Sequence, residues 1–590
     1  MRFFLGLFAA AAWAFQAAPS PTVQDLTHFS QVLGSTRTYR VLLPPSYAGT
    51  PKRLPVIYWF YGYEKPSEER DRQLAAWVAA HNVIVVKLGP ADTTGEFPLY
   101  FPELVDHIDR TLRTAADRGH RGVTGFALGG FMALWTAAKF PDLAGSASSI
   151  MGPTQAAAGP DGLELEYHLD DVYGNYAGVR TLLATAPGDP SAFYHRRLDS
   201  IWLFARSEHE SDASGDVAKV LDFHVRAFAD PLPKPAAFTH ADVYPNFSIW
   251  GWEAVSNRRS PGYTVLENVC REGFRSEVRE WIPGGAVIPG IRLTVESAPL
   301  YPPSSAHSVT YIRLRDGKMR RAVQRADAQG RLSFDLDGEP TEVGISSGPL
   351  LAISGYEIAG AAWATAGQPV ELRVKFVNKG SARSLASTIH WESPNPGLKF
   401  DAPAGKLFGL APGESATIPV RFTVADAQRA IARIVAADGA DRMEFEVPLY
   451  PPAESTAEFQ IADGRTVNVY QHAMQRADQS FGQGNGDGHA APGESFAVLL
   501  PDGDGLRAAE VITNDACVDS TMRGSDSWDE YDRAGGSAGY SLPAIRPDCQ
   551  PGHVVHMLAR IVIPNAPEHR VKYVQLQFPV WWRQGEEPKP

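Results

Sequence analysis

A turn near residue 486 collects the oxygen-bearing side chains that a hard cation needs. Residues 484–488 read Gly-Asn-Gly-Asp-Gly, and Pro492-Gly493-Glu494 follows a few positions later. Calcium prefers carboxylate and amide oxygens, and glycines let a loop wrap around an ion. The candidate ligands are therefore Asn485, Asp487 and Glu494. The spacing of an EF-hand is absent, so a Gly/Asp-rich hairpin without an ion is the alternative. We predict no obligatory cofactor, and calcium as the metal that this turn could hold.

The elements before residue 285 alternate between apolar strands and amphipathic helices. Continuous apolar runs at 54–60 and 83–88 predict buried strands. Phe101-Pro102 opens a helix with an apolar face, since proline is tolerated in a first helical turn. This alternation predicts a doubly wound, mostly parallel sheet. Its further strands are expected at 123–126, 201–205 and 238–244.

The second half of the chain has a different pattern. Helical periodicity largely stops after about residue 285, and short alternating strands are separated by Gly, Pro and Asp turns, which is typical of β-sandwiches. An Ala-Pro-Gly-Glu-Ser segment occurs twice, at 411–415 and 491–495, and is a candidate for equivalent turns in two sandwiches. We predict a multidomain protein with an α/β domain and three all-β modules. The expected bounds are 25–285, 286–348, 351–450 and 455–590.

The beginning of the chain and its charge bear on location and partners. Residues 3–15 are apolar and include the small-x-small site Ala12-Trp13-Ala14, which predicts a cleavable signal over residues 1–14. We expect a secreted or periplasmic protein, with attachment to the cell surface left open, and no membrane span in the mature chain. The net charge of −12 argues against nucleic acid as a partner, because phosphate binding needs a basic face.

Three cysteines are too few for a disulfide framework. Cys517 and Cys549 lie in one predicted module and could form a disulfide in an oxidising compartment. Cys270 would then be unpaired. Three buried thiols are the alternative.

Three segments of the α/β region together carry a family resemblance. Residues 36–44, 55–62 and 122–142 resemble the putative-esterase branch of the α/β-hydrolase superfamily, which includes feruloyl, enterochelin and S-formylglutathione esterases. The likeness extends over roughly 28–250 and implies an α/β-hydrolase fold. Residues 351–450 are similar to the immunoglobulin-like modules of bacterial surface proteins, and the glycine-rich turn at 484–494 resembles turns in sandwiches appended to secreted bacterial proteins.

The most specific part of the resemblance is the strand, turn and helix at 122–142. Active members carry G-x-S-x-G-G at this turn, which lifts a nucleophilic serine above the sheet. The flanking glycines, Gly125 and Gly129, are present here, but Ala127 occupies the nucleophile position. A methyl group cannot attack a carbonyl. The backbone N–H groups of Tyr63 and Leu128 could still form an oxyanion hole, since main-chain donors do not depend on side-chain identity.

The other catalytic groups that the family implies are an acid and a histidine base. The acid is expected after the strand at 201–205, where Glu208, Glu210 and Asp212 are candidates and His209 lies among them; a polar surface loop is the alternative. The base should follow the strand at 238–244, but no histidine occurs from there until His307. We expect His240 to be structural. Three serines after the turn are expected to pack in a core strand: Ser146, Ser148 and Ser149.

Two tryptophan pairs are ambiguous between binding and packing. Trp581 and Trp582 could stack on a sugar or close a sandwich core, and Trp250 and Trp252 could line the pocket or pack a domain boundary.

These observations favour an exported, esterase-like protein that has lost its nucleophile and base. It would bind a small ester, glycan or siderophore-like ligand, or serve as a scaffold for a cell-surface partner. An active carboxylic-ester hydrolase with a rearranged site is the alternative. A further alternative places the function in carbohydrate recognition by the sandwiches.

Overall fold

The computed structural model describes most of the chain from residue 20 onwards. The described residues are 20–62, 67–90, 95, 97–187, 189, 195, 198, 208–282, 285–425, 431–439, 441–470, 476–524, 540–563 and 570–582. The predicted signal at 1–14 and the predicted strand at 201–205 lie outside them. In the described part of the chain, no helix has the length and apolar character needed to cross a membrane.

An eight-stranded sheet forms the N-terminal domain, which confirms the predicted α/β-hydrolase fold class. Its strand order is β1-β2-β4-β3-β5-β6-β9-β10; β1 and β2 are antiparallel to their neighbours and the strands from β4 to β10 are parallel. A short hairpin, β7 and β8, lies apart from this sheet. The strands are β1 Thr22–Ser30, β2 Ser35–Leu43, β3 Val56–Tyr61, β4 Ile84–Pro90, β5 Arg121–Phe126, β6 Ser146–Ile150, β7 Gln155–Ala158, β8 Leu165–His168, β9 Arg180–Ala184 and β10 Glu208–Asp212.

Helices cover both faces of this sheet. Those in the described ranges are α1 Glu68–Ala80, α2 Tyr100–Thr111, α3 Leu128–Lys139 and α4 Val217–Ala229. The side chain of Ser67 caps α1 by accepting a hydrogen bond from the Arg70 N–H. Helix α2 buries Leu104, Val105 and Ile108 on one face, as the spacing of its apolar residues predicts. Helix α3 is buried along nearly its whole length. It therefore holds the position of Ala127, the residue that precedes it.

The first β-sandwich begins earlier than the sequence indicates. Residues 238–244 were expected to be the last strand of the α/β sheet, but β11 Phe238–Asp242 pairs with β14 in a different sheet. The sheets of this sandwich have the orders β11-β14-β15-β20-β17-β18 and β12-β13-β16-β19. Its other strands are β12 Asn246–Ile249, β13 Trp252–Ser256, β14 Tyr263–Cys270, β15 Gly273–Arg279, β16 Leu293–Glu296, β17 Ala306–Arg313, β18 Met319–Arg325, β19 Ser333–Leu336 and β20 Thr341–Ile345.

The first sandwich packs tightly on the α/β domain. Lys139, at the end of α3, forms a buried ion pair with Asp242 of β11. Asn175 holds the same strand from the α/β side, because its amide donates to the Ala241 carbonyl and its oxygen accepts from the Ala241 N–H. The backbone N–H of Trp250 donates to Asp142 at this junction, whereas Trp252 is buried in the sandwich core. Trp250 therefore packs at the domain boundary and Trp252 in the core of the sandwich.

The second sandwich occupies residues 351–450. Its sheets have the orders β21-β23-β27-β25 and β22-β29-β28-β24-β26, and they enclose a core of their own. An immunoglobulin-like relationship for this module stays a prediction. The strands are β21 Leu351–Ile358, β22 Ala364–Thr365, β23 Pro369–Asn378, β24 Ser387–Glu392, β25 Leu398–Phe400, β26 Ala404–Leu407, β27 Ser415–Val424, β28 Ile431–Asp438 and β29 Asp441–Tyr450.

The described residues of the C-terminal module form four small sheets and one disulfide. Cys517 and Cys549 are bonded, and Cys270 is a free thiol. The sheet orders are β30-β40-β39-β36, β31-β34-β35, β32-β33 and β37-β38. The strands are β30 Glu454–Ser455, β31 Gln460–Ala462, β32 Thr466–Tyr470, β33 Arg476–Ser480, β34 Ala497–Asp502, β35 Gly505–Ala508, β36 Glu510–Ile512, β37 Val518–Gly524, β38 Tyr540–Ile545, β39 Val554–Ile563 and β40 Arg570–Pro579.

The two Ala-Pro-Gly-Glu-Ser segments form the same turn. The equivalent pairs are Ala411 with Glu414 and Ala491 with Glu494. In each pair the glutamate N–H donates to the alanine carbonyl, and the glutamate side chain accepts from the alanine N–H. Gly413 and Gly493 both have a positive φ, which this turn requires. The repeat therefore marks equivalent turns in the second sandwich and the C-terminal module.

Candidate functional site

Ala127 occupies a sharp bend between β5 and α3. Its φ of 51° and ψ of −126° are uncommon for a residue with a Cβ. The bend is held from both sides, because the Ala127 N–H donates to the Ile150 carbonyl at 2.9 Å and the Ala127 carbonyl accepts from the Gly130 N–H at 2.8 Å. Ala127 is partly exposed at the carboxyl edge of the sheet.

Two glycines allow this bend. A Cβ at Gly125 would overlap the backbone of Gly129, and a Cβ at Gly129 would overlap the carbonyl of Phe60 in β3. Both approaches would be closer than 3.0 Å, which real Cβ atoms essentially never reach. The glycines of the predicted elbow are therefore required by its close packing.

The structure describes one of the two predicted oxyanion donors. Leu128 is the first residue of α3, so its N–H has no acceptor within the helix and lies at the positive end of the helix dipole. Tyr63, the other predicted donor, lies outside the described residues.

The three acid candidates do not lie in a loop as predicted. Glu208, Glu210 and Asp212 belong to the edge strand β10. Glu208 pairs with Arg180 at 2.6 Å and Glu210 with Arg226 at 2.6 Å. Burial raises the pKa of Asp212, but the hydrogen bonds from Ser214 and the charge of Lys219 outweigh it, so the pKa lies below its usual value. These ion pairs and hydrogen bonds engage all three carboxylates, and His209 hydrogen-bonds to Thr181.

The loop after β10 is closed by apolar packing. Because β5, β6, β9 and β10 are parallel neighbours, the segments after them meet at the edge where Ala127 lies. Residues 213–216 contain no histidine. A Cβ at Gly215 would lie 3.0 Å from both the Met151 methyl and the Ala186 methyl, and Asp216 caps α4 by accepting from the Ala218 N–H. Residues 213–216 therefore supply no histidine base.

These features can be compared with known proteins. Residues 101–216, which include the elbow, match the family model for "Putative esterase". The domain that carries the elbow is esterase-like. No curated protein matches the chain.

Several solved structures are similar to the esterase-like domain. A ferulic acid esterase is 17% identical with a TM-score of 0.29, and the match covers 35% of this chain and 98% of that chain. An S-formylglutathione hydrolase from Agrobacterium tumefaciens is 15% identical with a TM-score of 0.29, covering 37% and 97% of the two chains. A ferulic acid esterase from Anaeromyces mucronatus is 17% identical with a TM-score of 0.28, covering 36% and 91%.

His195 lies close to the elbow and was not expected from the sequence. Its Nε2 is 2.8 Å from the carbonyl oxygen of Gly152, and the side chain is buried. Gly152 in turn packs on the elbow, because a Cβ there would lie 2.8 Å from the Ala127 carbonyl. The bond to a carbonyl places a proton on Nε2, so this nitrogen must leave Gly152 before it can accept a proton.

Ser149 lies directly beneath the elbow. A Cβ at Gly130 or at Gly152 would overlap its hydroxyl, and Ser149 has no exposed surface. Within the described residues its Oγ has no hydrogen-bond partner. It is a core serine in β6, as predicted, and its burial keeps it out of reach of a substrate.

A second histidine forms a buried serine network. The Oγ of Ser146 lies 2.7 Å from Nδ1 of His224, and the Oγ of Ser148 lies 2.9 Å from Nε2. The Ser148 hydroxyl donates to Thr124, so Nε2–H donates to Ser148 and Nδ1 accepts from Ser146. Burial lowers the pKa of His224 to about 3. Because these side chains are essentially unexposed, the network joins β5, β6 and α4 and is out of reach of a substrate.

His240 has the structural role predicted for it. It is fully buried in β11, and its Nε2 lies 3.3 Å from Oδ2 of Asp242.

The glycine-rich turn at 484–488 is held by its own hydrogen bonds. Both oxygens of the buried Asp463 accept from backbone N–H groups, Oδ2 from Gly486 and Asp487 and Oδ1 from Gly488. Glu494 accepts from the Asn485 N–H, and the Asn485 amide donates to Asp487. The candidate ligands Asn485, Asp487 and Glu494 therefore bond to the turn itself.

The C-terminal tryptophans lie beside this turn. Trp581 stacks on the ring of His489 at 4.3 Å, and its backbone N–H donates to the Ala490 carbonyl. Trp582 meets Trp581 edge to face, and both are half-buried. The pair covers the turn at the end of the module.

Proposed function

We propose that the esterase-like domain is a binding domain that has kept the shape of a hydrolase site and lost its chemistry. Ala127 carries the proposal: it holds the conformation of a nucleophile elbow with a methyl group where a hydroxyl would act. Losing the nucleophile and the base together removes covalent catalysis, whereas a backbone donor such as Leu128 can still bind a carbonyl oxygen. The ligand class that the family resemblance favours is a small ester, glycan or siderophore-like molecule.

We also propose that the protein is exported and that its sandwiches attach the binding domain to a partner or to the cell surface. The apolar N-terminal segment with its small-x-small site supports export. The Cys517–Cys549 disulfide supports it independently, since disulfides persist mainly in oxidising compartments.

The test measures hydrolysis directly. The purified chain is incubated with p-nitrophenyl acetate and p-nitrophenyl butyrate, and separately with a fluorophosphonate probe that labels activated serines. We expect no turnover above background and no labelled residue. A serine found labelled by mass spectrometry would overturn the proposal.

One observation favours an ester hydrolase with a rearranged base as the second candidate. His195 is buried against Gly152, next to the elbow. The variants Ala127→Ser and Ala127→Ser with His195→Ala separate the two functions. We expect both to be inactive, because Ala127→Ser restores the hydroxyl without the base that the family pattern requires. A large gain of activity in the single variant that is lost in the double variant would assign His195 as the base.

Binding has its own control. A bulky side chain at Ala127, as in Ala127→Phe, fills the space above the elbow, whereas Ala127→Ser leaves it open. We expect methyl ferulate, used as an aromatic ester probe, to raise the melting temperature of the unmodified chain and of Ala127→Ser but not of Ala127→Phe. An equal shift in all three would place the binding in the sandwiches.

A further inference from the structure

The most basic segment of this acidic chain is β18 with its flanking turns. Between residues 313 and 331 seven side chains are arginine or lysine and two are aspartate, although the whole chain has a net charge of −12. Strand β18 itself, Met319–Arg325, reads Met-Arg-Arg-Ala-Val-Gln-Arg. It is the last strand of its six-stranded sheet, so one side of its backbone faces away from the sheet.

Most of these cations are already engaged. Arg313 and Lys318 pair with Asp316, Arg315 with Glu339, and Arg331 with Glu253. Arg320 lies over the ring of Tyr311. Arg321 and Arg325 differ from them, because neither has a carboxylate partner within the described parts of the chain, and both are exposed. Two unneutralised charges therefore lie four residues apart on one strand.

The pairing register shows which backbone groups of β18 are free. The Arg313 N–H donates to the Lys318 carbonyl and the Ala326 N–H to the Ser305 carbonyl, so the carbonyl of residue 318 and the N–H of residue 326 point towards β17 and the residue that precedes it. These groups alternate along an antiparallel strand. Residues 320, 322 and 324 therefore bond to β17 as well, and Arg321, Val323 and Arg325 direct their backbone groups to the open edge.

The side chains of the same three residues lie on the face turned away from the sandwich core. Ala322 packs against that core, whereas Val323 is 75% exposed, one of the most exposed large apolar side chains in the described chain. Met319, at the start of the strand, lies against Gly413 of the second sandwich. The accessible part of the edge is therefore residues 321–325, which present a basic, an apolar and a basic side chain in a row.

We propose that this edge binds an extended acidic segment of a partner protein, which adds to the sheet as a seventh strand. Main-chain hydrogen bonds to Arg321, Val323 and Arg325 would hold such a segment. Its side chains on the matching face would be acidic, apolar and acidic at alternate positions, opposite Arg321, Val323 and Arg325.

A second copy of this chain fits the edge less well. Antiparallel pairing of two β18 strands about Val323 would place Arg321 of one copy opposite Arg325 of the other, and like charges directly opposite each other are destabilising. Charged residues on an edge strand discourage such self-pairing. The same charges attract a strand of opposite sign.

The test uses two fluorescein-labelled peptides in an anisotropy titration with the full-length chain. Both contain a five-residue core, Glu-Thr-Val-Thr-Glu in the acidic peptide and Lys-Thr-Val-Thr-Lys in the basic one. We expect the acidic peptide to bind at low salt and the basic peptide to bind at least about ten-fold more weakly. Hydrogen exchange followed by mass spectrometry should show slower exchange in the fragment containing residues 321–325 when the acidic peptide is present.

Two variants test separately how the charges and the open strand edge contribute to peptide binding. Arg321→Glu with Arg325→Glu should weaken binding by about ten-fold or more, whereas Arg421→Glu with Arg442→Glu, the same change of charge on the second sandwich, should leave it unchanged. Val323→Pro removes an N–H that makes no bond within the sheet, so the fold tolerates it while the added strand loses a donor. Its binding should weaken to a similar degree.

Three outcomes would overturn the proposal. They are equal binding of both peptides, unchanged binding by Val323→Pro, and a dimer of the unmodified chain in light scattering that Val323→Pro converts to a monomer. The last outcome would assign the edge to a second copy.

Discussion

The ammonium group of Lys139 lies 2.7 Å from Oδ2 of Asp242, across the junction between the esterase-like domain and the first sandwich. Both side chains are almost completely buried. Burial raises the pKa of Asp242, but the charge of Lys139 and the bond from His240 outweigh it, so the pKa lies below its usual value. The pair is a charged contact inside one shared core, because Tyr244 and Val265 of the sandwich pack with Trp135 of α3.

Removing one partner of this pair should destabilise both units together. Lys139→Ala leaves the Asp242 carboxylate buried without its counter-charge, and we expect a loss of about 3–5 kcal/mol in the free energy of unfolding. Calorimetry should show the transition of the joined units shifted to lower temperature as one peak. The exposed pair of Arg40 and Asp25 is the control, since Arg40→Ala should cost at most about 1 kcal/mol. Two separate peaks in Lys139→Ala would contradict a shared core.

The buried imidazole of His224 should make the esterase-like domain sensitive to mild acid. Its pKa in the folded chain is about 3, below the ordinary value of 6.5. The unfolded chain binds a proton there between these values and the folded chain does not, so stability falls as the pH drops below 6.5. The slope is about 1.4 kcal/mol per pH unit, or about 2 kcal/mol between pH 6.5 and 5.

The variant His224→Gln tests this contribution, because glutamine stays neutral and keeps a donor and an acceptor. Urea unfolding at pH 7 and pH 5 should show a smaller loss of stability in the variant than in the unmodified chain. Replacing His120, which is only partly buried, by glutamine serves as the control. The same pH dependence in all three chains would refute this role of His224.

The backbone of the elbow should be strained at Ala127. Ala127 has the φ of 51° that glycine adopts readily and other residues avoid. Ala127→Gly should therefore stabilise the domain by about 1 kcal/mol, the difference between the relieved strain and the entropy of an added glycine. The same substitution at Ala133, buried within α3, should destabilise by about 1 kcal/mol or more. Thermal melts should show a higher melting temperature for Ala127→Gly and a lower one for Ala133→Gly.

The sequence predicted the parts of the fold that local physics determines. Apolar runs identify β3 and β4, and the glycines at 125 and 129 identify the elbow, because each signal lies within a few neighbouring residues. Residues 238–244 were assigned to the wrong sheet, since a short apolar strand has the same pattern whether its partner is parallel or antiparallel. That error directed the search for a base to the wrong loop.

The residues that the sequence did not predict depend on contacts between distant segments. His195 approaches the elbow through the carbonyl of Gly152, which is 43 positions away along the chain. His224 meets Ser146 and Ser148 only because α4 packs on β6. The open edge of β18 was hidden by the net charge of the chain, since a sum over all residues conceals a local basic strand.

The disulfide should stabilise the C-terminal module selectively. Cys517 and Cys549 are 32 residues apart, and closing a loop of this size contributes about 3–4 kcal/mol in the chain-entropy model. Replacing both by serine should lower the melting temperature of this module and leave the transition of the esterase-like domain unchanged. Cys270→Ser is the matched control, because Cys270 has no disulfide partner. A thiol assay that finds three free cysteines in the native chain would exclude the bond.

Stability measurements can show whether the turn at 484–488 is a self-supporting loop or a calcium site. Asp463 accepts three backbone N–H groups there, so Asp463→Ala leaves these donors without an acceptor and should cost about 3 kcal/mol or more. Asp487→Asn keeps the acceptor for the His489 N–H and should change stability little. Because the carboxylates already bond to the turn, we expect millimolar calcium and EGTA to leave the melting temperature of the C-terminal module unchanged. A calcium-dependent rise that Asp487→Asn abolishes would show that Asn485, Asp487 and Glu494 hold the ion, since a bound ligand stabilises the folded state by mass action.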